Sequence, residues 1–293
     1  MKSLIALISF VIMEAEITNF LKTAFNEDIQ DGDHSSLACI PADATKKAQL
    51  LIKEGGILAG VDLAAHIFNY TDASLQMEVF VKDGAVVQPG DVAFEVTGSA
   101  QSILSSERIV LNCMQRMSAI ATKTQKFVKL IEDLNAKVLD TRKTTPGIRF
   151  IEKWAVRIGG GMNHRFGLYD MIMLKDNHID FAGGIDQAIL KTNDYLKKNN
   201  KELRIEIETR NLDEVKQVLA VGGVDRIMLD NFSLDDVSSA VSMISGKFET
   251  EASGGINMDT VRQFAACGVD YVSVGAITHS INNLDLSLKA INE

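Results

Sequence analysis

An α/β barrel is the fold this chain predicts, on three observations. Beyond Asn135, short apolar runs alternate with segments of helical length. The last four runs end about 22 residues apart, the size of one compact βα unit. Each run is followed by charged or glycine residues, as at a ligand-binding rim. The runs span 136–139, 170–174, 204–207, 226–229, 248–252 and 271–274, with helical stretches at 184–199, 212–220, 234–244 and 258–267. Such alternation calls for a parallel sheet with helices outside. Six strands, with a seventh near Val156, suffice for a closed or nearly closed barrel; a doubly wound open sheet is the competing arrangement.

The first hundred residues read as mixed α and β. Ile17, Phe20, Leu21 and Phe25 keep helical spacing, and residues 49–52, 77–81 and 92–96 are strand-like. Asp83-Gly84 and Gln88-Pro89-Gly90-Asp91 are turn signals. Over 102–135 the apolar period becomes 3.6 residues, from Ile103 through Met114 and Met117 to Ile131. This is one long helix, or two broken near Ser118, bridging two domains.

Composition bounds the function. With 46% hydrophobic residues and 3 prolines in 293, the chain is a packed globular protein. A net charge of -9 argues against nucleic acid or an anionic membrane as partner, since both select a basic face. Cys39, Cys113 and Cys267 form no CxxC pair and read as reduced, buried thiols of a cytoplasmic protein. Leu4 to Ile12 resembles a signal-peptide core, but it is too short to span a bilayer, and Glu14 and Glu16 follow without a small-residue cleavage site. Translation starting at Met13 is the favoured explanation of those twelve residues.

In parallel α/β proteins the ligand lies at the carboxyl ends of the strands. Here those ends carry Thr141-Arg142-Lys143, Lys175-Asp176, Glu208, Asp230-Asn231, Ser253-Gly254-Gly255 and Gly275-Ala276. Taken singly, each has an ordinary explanation: a solvated loop for 141–145, helix N-caps for Glu208 and Asp230, a tight turn for 253–255. Recurrence on one rim is what points to a functional mouth. Gly159-Gly160-Gly161 precedes His164 and Arg165, which with Arg142, Lys143 and Lys175 make up to five cationic donors. Like charges repel at short range, so such a cluster suits a small polyanion carrying carboxylates and phosphates. Ser253-Gly254-Gly255-Ile256-Asn257, read as leading into a helix, and Gly275-Ala276 form a phosphate cradle. Between cluster and cradle, Glu208 and Asp230 can accept ribose hydroxyls or hold a magnesium ion, directly or through water.

The segments SERIVLNCMQRMSAIAT, LDTRKTTPGIR, GGGMNHRFGLYDMIMLKDNH, IEIET, IMLDN, EASGGI and GVDYVSVGAITHS resemble quinolinate phosphoribosyltransferases, in that family's order from about Glu27 to Leu286. The resemblance implies an N-terminal α/β sandwich over residues 1–118, with 277–293 returning to it, and an open barrel of about seven strands over 119–276. It implies phosphoribosyl transfer from phosphoribosyl pyrophosphate to quinolinate with decarboxylation, assisted by Mg2+, in a homodimer with shared active sites. Arg142, His164, Arg165 and Lys175 match the residues that hold the quinolinate carboxylates, and Arg108 matches an arginine reaching in from the partner subunit. Lys143 and Lys175 border the pyrophosphate as the catalytic lysines, with Thr141 beside them. Glu208 and Asp230 match the ribose and metal carboxylates, and Ser253, Gly254, Gly255, Gly275 and Ala276 match the 5′-phosphate cradle. Gln30 and His34-Ser35-Ser36 depart from the family's EDIGxGDxTS segment. The rival readings are a molybdenum-transport relative on the same scaffold, a nicotinate-specific transferase, a Schiff-base aldolase using Lys175, and a non-enzymatic binding protein.

Overall fold

The computed structural model describes residues 2–291, with side chains from Glu14 onward. The side chains of the apolar opening segment, on which the reading of residues 1–12 rests, lie outside the described residues. The chain divides into two compact units, residues 1–123 with 144–160 and 280–293, and residues 124–143 with 161–279.

Helix α1 (Lys2–Asp28) buries Ile17 and Leu21, an i,i+4 pair of the apolar stripe. The short α2 (His34–Cys39) starts where Asp33 accepts the Ser36 N–H at 3.1 Å. Strand β1 (Thr45–Ile52) buries every second residue, Ala48, Leu50 and Ile52. Then come β2 (Gly56–Ile57), α3 (Val61–Thr71), β3 (Gln76–Val79), β4 (Val86–Val87) and β5 (Val92–Ser99). β1 pairs antiparallel with β5, and β5 with β3. Helix α4 (Ala100–Leu130) is continuous. Ser118 does not break it, because its hydroxyl accepts from Ala59 N–H at 2.9 Å and donates to Ala59 C=O at 3.1 Å, satisfying a neighbouring loop.

The second unit carries the parallel sheet. In chain order come β6 (Lys137–Leu139), α5 (Arg149–Ile158), β7 (Ile172–Leu174), α6 (Asp176–Ala182), α7 (Ile185–Lys198), β8 (Ile205–Thr209), α8 (Leu212–Val221) and β9 (Arg226–Asp230). Next are α9 (Leu234–Ile244), β10 (Glu249–Ser253), α10 (Val261–Ala266), β11 (Tyr271–Ser273), α11 (Ala276–His279) and β12 (Leu286–Ala290). Helix α5 belongs to the first unit, as does β12, which adds antiparallel to β1. The barrel order is β6-β11-β10-β9-β8-β7, all parallel. The first strand beside the last is the mark of a sheet curling into a barrel, and it removes the doubly wound alternative.

Three expectations are corrected. Val156 lies on helix α5 and not on a strand; Ile151, Ala155 and Val156 are buried at helical spacing. The further pairing at the β6 edge is a single parallel bridge, Leu139 to Met162, so the barrel stays open. Of the three cysteines only Cys113 is buried, with burial raising its thiol pKa to about 12, while Cys39 is exposed and Cys267 half-buried. Ser253-Gly254-Gly255 does not lead straight into a helix, since α10 begins at Val261, and the helix-dipole contribution to the cradle falls away. Among the described residues no helix is long and apolar enough to cross a membrane.

Candidate active site

The rim residues of the parallel strands, Asp176 excepted, converge on one cavity of about 820 Å3 within the second unit. Thr141, Arg142, Lys143, His164, Arg165 and Lys175 line one part of it. Glu208, Asp230, Ser253, Gly254, Gly255, Gly275 and Ala276 line the rest. The reason is strand alternation: Glu206 and Glu208 on β8, Met228 and Asp230 on β9, and Glu251 and Ser253 on β10 share the inward face.

The backbone that carries the cationic residues is braced by two acids, Asp140 buried and Asp170 exposed. Asp140, fully buried at the end of β6, accepts the His164 N–H at 2.8 Å and the Asn163 amide at 2.6 Å. Asp170 accepts the N–H groups of Phe166 (2.6 Å) and Gly167 (2.7 Å). The Thr141 hydroxyl accepts the Lys143 N–H at 3.0 Å, and Thr278 donates to the Lys143 carbonyl at 2.9 Å. Two loops remote in sequence are thus held beside one another, with Arg142 and Arg165 close enough to interact. Burial, and next the charge of Arg142, lower the Arg165 pKa.

Lys175 Nζ lies 2.9 Å from Glu208 Oε2, so the two ends of the site meet through an ion pair. Neither Glu208 nor Asp230 caps a helix: Asn211 caps α8 and Ser233 caps α9. Asp230 instead accepts the Asn231 amide at 2.7 Å. Gly254 sits at φ +97°, and a Cβ there would come within 2.8 Å of the Asn231 backbone nitrogen, so only glycine fits. At Gly275 a Cβ would crowd Lys143 Cδ and His279 at 3.1 to 3.2 Å. At Gly255 a Cβ would meet nothing within 4 Å, so a phosphate can approach the backbone there.

The structure differs most from the sequence reading at His164. Its side chain is 4% exposed; Nδ1 accepts the Arg165 N–H at 2.6 Å, while Nε2 faces Glu206 at 2.9 Å and Glu251 at 3.4 Å. Burial pulls its pKa down, but the two carboxylates outweigh it and raise the value to about 9. Glu206 is itself raised, by burial first and then by the charge of Glu251. The Nδ1 hydrogen bond belongs to the neutral ring, whose one proton sits on Nε2 against the carboxylates; the second proton that those carboxylates favour would go to Nδ1 and break that bond. Sequence reasoning missed Glu206, Arg226, Glu249 and Glu251 inside the barrel. The signal was present in Glu-x-Glu at 206–208 and 249–251, charged residues repeating on one face of a buried strand. Arg108, on α4 in the first unit, is exposed.

Comparison with known proteins bears on the whole chain. Residues 33–118 match the quinolinate phosphoribosyl transferase N-terminal domain, and residues 120–289 the C-terminal domain. The chloroplastic carboxylating nicotinate-nucleotide pyrophosphorylase of Arabidopsis thaliana is 47% identical over 93% of this chain and 82% of its own length. The probable carboxylating nicotinate-nucleotide pyrophosphorylase of Bacillus subtilis is 40% identical over 93% of each. The crystal structure of NadC from Streptococcus pyogenes superposes with a TM-score of 0.88 at 40% identity, covering 94% of this chain and 97% of that one. Both domains match in the same order over most of the chain, and the chain belongs to the quinolinate phosphoribosyltransferase family.

Proposed function

We propose that this chain transfers the phosphoribosyl group of phosphoribosyl pyrophosphate to quinolinate with decarboxylation, giving nicotinate mononucleotide, pyrophosphate and carbon dioxide for NAD biosynthesis. The observation that carries this reading is one cavity with a cationic side at Arg142, Lys143, Arg165 and Lys175, and a carboxylate and glycine side at Glu208, Asp230 and 253–255. A pyridine dicarboxylate suits the first and a ribose 5-phosphate the second.

Arg142 and Arg165 grip the quinolinate carboxylates with planar, bidentate donors, which orients the ring nitrogen toward the anomeric carbon. Nicotinate, with one carboxylate, would leave two adjacent guanidinium groups poorly compensated. Glu208 and Asp230 accept ribose hydroxyls, and the turn at 253–255 with Gly275 and Ala276 receives the 5′-phosphate. Lys143 and Lys175 stabilise charge on the departing pyrophosphate. The ring nitrogen attacks as the ribosyl C–O bond breaks. The quaternary nitrogen then accepts the electron pair released when the neighbouring carboxylate leaves as carbon dioxide, and a proton replaces it on the ring. The exposed position of Lys175 on its ion pair with Glu208 allows the pair to open toward pyrophosphate.

Magnesium suits this donor set, because Glu208 and Asp230 each present carboxylate oxygens to the cavity; they would hold it directly or through water, and it would neutralise pyrophosphate charge. The protein is read as cytoplasmic and as a homodimer in which Arg108 of each subunit serves the other's site. Support for the second point is that Arg108 is an exposed arginine on a segment that matches the family. Arg108→Ala should lose activity without unfolding, and heterodimers of it with Lys175→Ala should regain part of the activity; no recovery on mixing would defeat the shared site. The central test is carbon dioxide release from carboxyl-labelled quinolinate with and without phosphoribosyl pyrophosphate. Consumption of nicotinate with no release from quinolinate would defeat the reading.

A further inference from the structure

Beneath the cavity the barrel interior is charged, and the reaction outlined above uses none of that charge. Glu206 and Glu251 have no solvent exposure and Arg226 has 6%. The strand register sets Glu206 and Glu249 on either side of Arg226. Arg226 Nη1 donates to Glu251 at 2.9 Å, its Nε and Nη2 donate to Glu249 at 3.0 Å, and its guanidinium lies 4.0 Å from the centre of the Tyr271 ring. Above this layer, His164 Nε2 faces Glu206 and Glu251, and its Nδ1 accepts the Arg165 N–H. An unbroken line of polar contacts therefore runs from the floor of the barrel to the backbone of a clamp arginine.

Stability alone does not explain this line. Burying two carboxylates carries a large desolvation cost, and apolar residues of similar volume commonly do as well or better in such places. Barrel interiors are ordinarily filled by branched aliphatic side chains. What the charged arrangement supplies is direction. An imidazole whose Nδ1 accepts a hydrogen bond and whose Nε2 lies against two carboxylates is held in one orientation, and the peptide it grips is held as well. The Arg165 guanidinium is then steadied further by donation from Nη1 to the Met171 carbonyl at 3.1 Å. His164, Glu206 and Glu251 also bring donor atoms within 4.8 Å of one another, as a cation site would, but Arg226 already supplies the positive charge there.

The geometry points to Glu206 and Glu251 as positioning residues for quinolinate binding: acting through His164, they fix the Arg165 backbone and hold its guanidinium at the carboxylate end of the cavity. This rests on the function proposed above. It makes His164 a link between floor and mouth.

The test is a cycle of Glu206→Gln, His164→Asn and the double variant, with KM measured separately for each substrate. The asparagine oxygen can still accept the Arg165 N–H but is too short to reach the carboxylates. Glu206→Gln should raise the KM for quinolinate about 10- to 100-fold, with the KM for phosphoribosyl pyrophosphate held within about twofold. The double variant should be no worse than His164→Asn alone, because both changes cut the same link. Additive losses, an equal rise in both KM values, or an unchanged quinolinate KM would overturn the inference. If Glu206→Gln does not fold, Glu251→Gln takes its place in the cycle; if neither folds, the pair serves stability and the inference falls. Wild-type protein that releases no carbon dioxide would defeat the functional reading itself, whereas an active wild type with an unaffected Glu206→Gln defeats only the positioning role.

Discussion

The inner strands of the first unit and those of the barrel are buried to the same degree and filled in opposite ways. In the antiparallel sheet, Leu50, Ile52, Phe94 and Val96 have no exposure, and Phe94 meets Phe68 edge-to-face at 5.9 Å. In the barrel, the equally hidden positions on β8, β9 and β10 hold Glu206, Arg226 and Glu251. Apolar packing is nondirectional, so it stabilises the fold without dictating where any one side chain points. Buried ion pairs are directional and fail when one partner is missing. The antiparallel sheet is therefore packed for stability, and the barrel strands trade stability for fixed orientation near the cavity.

The contrast breaks most sharply by removing a cation at the mouth. Lys175→Ala is expected to lower kcat about 10²- to 10³-fold, with the melting temperature near that of wild type, since the lysine is about half exposed. Steady-state kinetics alongside thermal melts check this; a large fall in stability would show that the mouth is structural. The opposite outcome is expected in the first unit. Leu50→Ala should cost about 2–5 kcal/mol of stability while leaving kcat per folded molecule unchanged, measured by denaturant unfolding and active-site titration.

A smaller effect sharpens the comparison through pH. The pKa of His164 is raised from 6.5 to about 9, so its contribution to stability is fully present below about pH 6.5 and is lost as pH rises through about 9. Melting temperature should fall across that window in wild type and fall less in His164→Asn. Parallel pH profiles for the two proteins would show that the barrel floor does not titrate as a unit.

Element types and order were legible in the sequence because they depend on local periodicity. The 3.6-residue pattern of 102–135 became α4, and the strand-like runs beyond Asn135 became β6 to β11 within a residue or two at most ends. Val156 misled because a short apolar run in a buried helix has the same composition as a buried strand. The rim residues were legible too, since they follow strand ends and differ in charge from the runs before them. The floor was not: Glu206 and Glu251 look like members of solvated strands until both faces of the sheet are known to be covered.

The amino-acid sequence alone determined the α/β order and the families of side chain at the barrel mouth, because helical and strand periods and the chemistry of strand ends are local properties. Only the tertiary structure decided that His164 turns down to two hidden glutamates, that Glu208 faces Lys175 instead of capping a helix, and that the barrel stays open beside Met162. Those facts depend on register between strands far apart in the chain, and a one-residue change of register sends every side chain to the other face.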